Sequence, residues 1–156
     1  MAPTPPDRST FLTVGEIIDR TRRYAQRAHG LLLQDLREQA ADDRTRLFLE
    51  EMEQRRSELE AALGRSLRAA GEATLRTPAQ YTVDPWDGEP IAPQRPSVEE
   101  ATRWILDLDH RLIETYRELA ERHESEPVRE FFASVVDVVQ AFDRRLSSGA
   151  QQAYDV

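Results

Sequence analysis

The prolines decide most of what this chain can become. Five of the nine lie between residues 76 and 96, in "RTPAQYTVDPWDGEPIAPQRP", and no helix survives that density, since each proline removes a backbone donor and clashes with the preceding turn. On either side are long stretches with apolar residues at three- and four-residue spacing, the period of an amphipathic helix. The sequence therefore predicts two helical halves separated by a long extended connector.

Each half divides again. Thr13 and Glu16 have the spacing of a capping box. A first helix is predicted over 13–40, with Ile17, Ile18, Ala25, Ala28, Leu32 and Leu36 on one stripe. "ADD" at 41–43 supplies turn and cap chemistry, and a second helix over 43–75 carries Phe48, Met52, Leu59, Leu63 and Leu67. Past the prolines, Ser97 and Glu100 form another capping box, opening a third helix over 97–123 with Ile105, Leu108, Leu112, Tyr116 and Leu119. Pro127, behind Ser125, suits the first turn of a fourth helix over 126–149, which bears Val128, Phe131, Val135, Val138, Phe142 and Leu146. Residues 1–10 are read as a disordered tail and 150–156 as a second tail, leaving one domain over 11–149.

Short turns make each pair of helices an antiparallel hairpin. The 76–96 connector has about 20 residues at up to ~3.3 Å each, enough to span a helix of about 28 residues rising ~1.5 Å per residue. The second and third helices can then run parallel. Two hairpins joined by one long crossover predict an all-α four-helix bundle with the ferritin-like connection.

The two halves are also related. "HGLLLQDLREQA" at 29–40 aligns with "DHRLIETYRELA" at 109–120 at an offset of 80, matching Leu32 to Leu112, Arg37 to Arg117 and Ala40 to Ala120. At an offset of 83, Arg46 meets Arg129, Phe48 meets Phe131 and Leu63 meets Leu146. A duplicated hairpin accounts for both.

With that topology, and with "RLFLEEMEQRRSEL" at 46–59 and "TYRELAERHESEPVREFF" at 115–132, the chain resembles the ferritin-like superfamily, particularly its rubrerythrin-type members. The resemblance covers nearly everything outside the tail and crossover. It implies a di-iron or di-manganese centre held by a Glu from one helix of each hairpin and a Glu-x-x-His from the other. Carried across, the single-carboxylate positions fall on His29 and Asp109. The Glu-x-x-His positions fall on Glu53 and Arg56, and on Val136 and Val139 or, one residue along, on Asp137 and Gln140. Both histidines are missing, and a permanent cation stands at one ligand position. The expectation is a degenerate site with no metal, no cofactor and no catalytic residue; His29, Glu53, Arg56 and Asp109 are its remnants. Turned inward, Arg56 would replace the metal charge and pair with Asp109 or Glu53. Arg55 and Arg56 each lie about 50° from the core stripe, however, which favours both reaching to solvent.

Composition narrows the function classes. Net charge is −8, which argues against nucleic acid or an anionic membrane as partner. Without cysteine there is no thiol chemistry and no disulfide. No apolar run approaches a membrane span and no signal peptide is visible, so a cytoplasmic location is expected. No nucleophile–base pair or glycine-rich phosphate loop stands out. Asp107, His110 and Glu114 share a helix face, but one opposite the core, and read as a solvated stripe. His123 is expected to interact with helix-end carbonyls. In the crossover, Tyr81, Val83, Trp86 and Ile91 either clamp the linker to the bundle or form a strip for a partner, with Tyr81 and Trp86 as contacts.

The expected function is a non-catalytic ferritin-like protein that binds a protein partner or self-associates, a homodimer being one form. The alternative is an iron- or manganese-dependent oxidoreductase or iron-handling protein with an asymmetric site of His29, Glu53 and Asp109.

Overall fold

The computed structural model describes residues 12–39, 42–79, 86 and 88–154, with 149–154 described for their backbone. It is all-helical: α1 (Val14–Gln39), α2 (Asp43–Ala70), α3 (Glu72–Leu75), α4 (Val98–Arg122) and α5 (Glu126–Tyr154). No strand occurs among the described residues, only an isolated antiparallel bridge between Thr13 and Pro78.

Local chemistry sets the helix starts. Thr13 Oγ1 accepts from the Glu16 amide at 3.1 Å, and Glu16 Oε1 accepts from the Thr13 amide at 3.2 Å. Asp42 accepts from the Thr45 amide at 2.7 Å, and Ser97 with Glu100 completes a reciprocal capping box before α4. Such caps satisfy amides that the first helical turn leaves without partners.

Two boundaries differ from the sequence reading. The helix expected over 43–75 is interrupted at Gly71, whose φ of 81° lies in the region glycine enters without a Cβ penalty. The chain resumes as α3 and packs on the start of α1, where a Cβ at Gly15 would lie 3.1 Å from the Leu75 carbonyl oxygen. That close approach lets the Val14 amide donate to Thr77 O at 2.9 Å and the Ala79 amide donate to Leu12 O at 2.8 Å. At the other end, α5 continues past Gly149 to Tyr154.

Ion pairs reveal the helix directions. Arg22 pairs with Glu60 and Arg37 with Glu53, so α1 and α2 are antiparallel. Arg44 pairs with Glu99 and Arg55 with Asp109, so α2 and α4 run the same way. Arg55 also reaches Asp143, and Ser66 meets Ser134, which makes α5 antiparallel to α2. The closest packing is between α4 and α5, where Tyr116 stacks on Phe132 at 5.8 Å between centroids.

The described part of the 76–96 segment lies along α1 and α4. Trp86 is 2% exposed, stands edge-on to Tyr24 of α1 at 5.1 Å and donates to Thr115 Oγ1 of α4 at 3.3 Å. The Arg111 guanidinium lies 4.1 Å from its ring centroid. Further along, Arg27 donates to Gly88 O at 3.3 Å and the Arg95 amide donates to Asp35 at 2.6 Å. That carboxylate holds Arg95 at a φ of 49°, a left-handed conformation unusual for a side-chain-bearing residue.

The core forms two apolar clusters. One includes Ile17, Ala28, Leu63, Leu112, Tyr116, Phe132 and Val139; the other includes Leu32, Leu36, Phe48, Met52, Ala101 and Ile105. On each long helix a polar residue lies at or beside the boundary between them: His29, Arg55, Asp109 and Asp143.

Candidate functional site

That boundary layer is the main polar feature of the interior. Arg55 points in from α2, with its side chain 9% exposed. Its Nη2 donates to Asp109 Oδ2 at 2.7 Å and to Asp143 Oδ1 at 3.1 Å. The Asp109 side chain is 2% exposed, so its carboxylate depends on this guanidinium in place of water. Arg55 also lies 6.0 Å from the Phe142 ring centroid.

Two carboxyls that close do not both ionise easily. Burial, then a hydrogen bond to Asp109 and repulsion by its charge, push Asp143 up to about 9, against the opposing pull of Arg55. At neutral pH Asp143 is thus a carboxylic acid, held by the same guanidinium as Asp109. His29 sits beside it. Burial lowers its pKa, as do Arg55 and Arg56, while Asp109 acts in the opposite direction. It is therefore a neutral imidazole, and its Nε2 has no hydrogen-bond partner. His29, Arg22, Glu60, Asp109 and Tyr116 border a cavity of about 40 Å³, room enough for an ordered water. Nearby, Tyr116 OH and Thr21 Oγ1 are 2.5 Å apart. Burial holds the Tyr116 hydroxyl in its protonated form.

Several sequence expectations are corrected here. Arg56 is exposed, the outcome its wheel position favours, whereas Arg55, for which the same was expected, turns inward. Neighbouring helix residues differ by about 100° in direction, so only the packed orientation of α2 chooses between them. Glu53 is also exposed and pairs with Arg37 on the surface, away from Asp109. Asp143 was missed altogether. It lies seven residues after Val136 and aligns with Glu60 at the repeat offset of 83, two signals that place it on the inner stripe. Val136 and Val139 are buried apolar residues.

Of the two readings of Trp86, the structure has the clamp: its ring is enclosed by Tyr24, Thr115 and Arg111, which holds the crossover and leaves little surface for a partner. Tyr81 lies outside the described residues. His110 and Glu114 are exposed and 3.2 Å apart on the surface, and Asp107 is exposed as well. The His123 side chain is buried between segments, its Nε2 3.0 Å from Pro78 O and its Nδ1 accepting from the Ser125 amide at 3.0 Å.

The residues at this layer do not fit a di-metal centre. Such centres need several carboxylates converging to balance about four positive charges. Here a guanidinium already lies between the buried Asp109 and the partly buried Asp143, and among the described residues no three His, Asp or Glu side chains are grouped to hold a metal ion.

A second feature lies beside this layer. A groove of about 790 Å³ opens between the first half of α2, the start of α4 and the later part of α5. Leu47, Phe48, Met52, Val98, Phe142 and Leu146 form its apolar wall, and Arg55 also borders it. No described helix is long and apolar enough to cross a membrane. No family model, curated protein or solved structure matches the chain.

Proposed function

We propose that this chain is a ferritin-like four-helix bundle in which a buried ionic cluster replaces the di-metal centre, and that it acts as a non-catalytic, cytoplasmic binding or assembly module. The observation that carries this reading is the position of Arg55. Its cationic head lies at the boundary between the two halves of the core, bonded to carboxyls from α4 and α5, where the bundle family would hold its cations. The parallel course of α2 and α4, inferred from the Arg44–Glu99 and Arg55–Asp109 pairs, supports the ferritin-like connection. So does the crossover lying along α1 and α4.

The cluster has little to offer catalysis. Arg55 does not deprotonate at accessible pH, Asp143 is neutral at pH 7, and Asp109 is held by the guanidinium. Its consequence is specificity of packing: helices α2, α4 and α5 must arrive in one register for all three groups to be paired. The iron- or manganese-dependent alternative loses its proposed ligand Glu53 to the surface.

Metal analysis of protein purified without chelator, followed by iron(II) and manganese(II) titration, tests the reading. It expects no stoichiometric metal. One or more ions per chain, lost in a folded Asp109→Ala variant, overturns it.

A further inference from the structure

We propose that α1 is a two-part helix: residues 31–39 unwind from the bundle as a unit, breaking at Gly30, while residues 14–28 stay docked, and acid promotes the opening. The acid dependence rests on the reading of the polar layer as metal-free; the hinge does not.

The apolar packing of α1 is divided at that point. Val14, Ile17, Ile18 and Ala28 belong to one core cluster, and Leu32, Leu33 and Leu36 to the other, so the two segments bury their side chains against different neighbours. The first segment is tied from inside. Thr21 Oγ1 and Tyr116 OH are both buried and 2.5 Å apart, Tyr24 packs on Trp86, and the Val14 amide donates to Thr77 O. Among the described residues, the polar ties of the second segment lie at the surface: Asp35 with the Arg95 amide, and Arg37 with Glu53 in a pair more than half exposed. Exposed pairs of that kind add little stability.

A glycine marks the join. A Cβ at Gly15 would press on the Leu75 carbonyl, but one at Gly30 would meet nothing within 4 Å, so packing does not call for glycine there. Inside a helix it weakens the segment, because the open chain gains more conformations. Slack is available as well. Eleven residues separate Gly30 from Asp42, which caps α2; unwound, they reach up to ~3.3 Å each, against about 1.5 Å in the helix. Residues 31–39 therefore unwind without pulling on α2.

His29, next to the glycine, supplies the response to acid. Its Nε2 is buried without a partner. The hydrogen bonds of the layer run among Arg55, Asp109 and Asp143 on α2, α4 and α5, so α1 opens without breaking them. Around the imidazole are Arg55, Arg56 and Glu60 from α2, Asp109 and Tyr116 from α4, and Arg22 on α1 itself. α5 adds Val139 and, through Arg55, the Asp143 carboxyl. Burial opposes a charge on the ring, as do the arginines at 55 and 56, while Asp109 favours one. Once the helix unwinds, the ring meets water and takes up a proton near its ordinary value of about 6.5. The open form thus binds more protons below about pH 6.5, and opening grows by at most about tenfold per pH unit until the docked ring also titrates.

Phe48 and Met52 belong both to the second core cluster and to the wall of the groove between α2, α4 and α5. Removing Leu32, Leu33 and Leu36 from that cluster frees the wall to move, so the hinge makes the shape of the groove sensitive to pH.

The test is native-state amide exchange of the full chain, residue by residue, corrected for the intrinsic rate at each pH. Amides over 33–39 should share one opening, more frequent than that of 17–28 or of α4. Its equilibrium constant should rise severalfold, and at most about tenfold, from pH 6.5 to 5.5. Gly30→Ala should lower it by about fivefold at both pH values, and His29→Gln should abolish the rise. Protection that grades inward from Gln39, as in end fraying, overturns the hinge. So does equal opening of both segments of α1, or an unchanged constant in Gly30→Ala. No rise in wild type, or a rise that persists in folded His29→Gln, overturns the acid dependence. If that variant does not fold, a proton NMR titration of wild type decides: a His29 ring titrating at about 6.5 in the docked state overturns it. Stoichiometric metal would instead refute the metal-free reading and the acid dependence with it, while the Gly30→Ala comparison still judges the hinge.

Discussion

Replacing Arg55 by methionine probes the interior most directly. Methionine keeps much of the buried stem and removes the charge, leaving Asp109, 2% exposed, without its cationic partner. Breaking a buried pair from one side costs about 3–5 kcal/mol. The neutral Asp143 can donate to the stranded carboxylate, which favours the lower end of that range. For a chain of this length, about 2–4 °C of melting temperature per kcal/mol gives a drop of roughly 6–20 °C. Arg56→Met is the control: its side chain is exposed, and such changes stay within about 0.5 kcal/mol. Urea unfolding followed by circular dichroism should show the midpoint of Arg55→Met falling with little change in slope. Adding Asp109→Leu should restore a good part of the loss, giving a coupling energy above about 1 kcal/mol in the double-mutant cycle. If Arg55→Met costs under about 1 kcal/mol, or no more than Arg56→Met, the arginine does not support Asp109 and the assignment of α2's inner face is wrong.

Three further outcomes follow from the same geometry. Asp143, pushed up to about 9, keeps in the folded state a proton that the unfolded chain releases above about pH 4; its stabilising contribution is full below that pH and is lost as pH rises towards 9. Asp143→Asn should flatten that fall in denaturant midpoints measured across the range. His29 acts in the opposite sense: burial lowers its folded pKa, so the unfolded chain binds more protons below about pH 6.5 and stability drops on acidification. His29→Gln should reduce that acid sensitivity, and an unchanged pH profile would show that the imidazole is free to charge in place. Trp86→Ala removes the ring that pins the crossover between α1 and α4, with an expected cost of about 3–5 kcal/mol; a loss below about 1 kcal/mol in thermal melts would mean that the crossover is not clamped there.

The legible parts of the fold are those set by near neighbours in the chain. Thr13 with Glu16 and Ser97 with Glu100 announce their helices because a cap is complete within four residues. The density of prolines excludes helix from most of 76–96 whatever packs around it. Stripes such as Ile17, Leu32 and Leu36, or Leu112, Tyr116 and Leu119, are buried as their spacing requires. Gly71 is ambiguous from its neighbours alone. A glycine is tolerated inside a helix, and the break there is fixed by contacts of Leu75 and Thr77 with the start of α1.

The interior polar layer belongs to the less legible part. Arg55 and Arg56 are nearly equivalent on a helical wheel, so local periodicity leaves two choices and the neighbouring helices select one. Asp109 and Asp143 are 34 positions apart, and nothing in either segment alone indicates that their carboxyls share one guanidinium. The groove is similarly a property of how α2, α4 and α5 separate at one end, with its wall drawn from three distant segments. By itself the sequence determined where helices begin, where they cannot form and which stripes seek the interior, because these depend on hydrogen bonds and sterics within a few residues. Tertiary structure alone decided which arginine is buried, which carboxyl keeps its proton and where an apolar recess remains, because desolvation and charge coupling act between groups that meet only after the helices have packed.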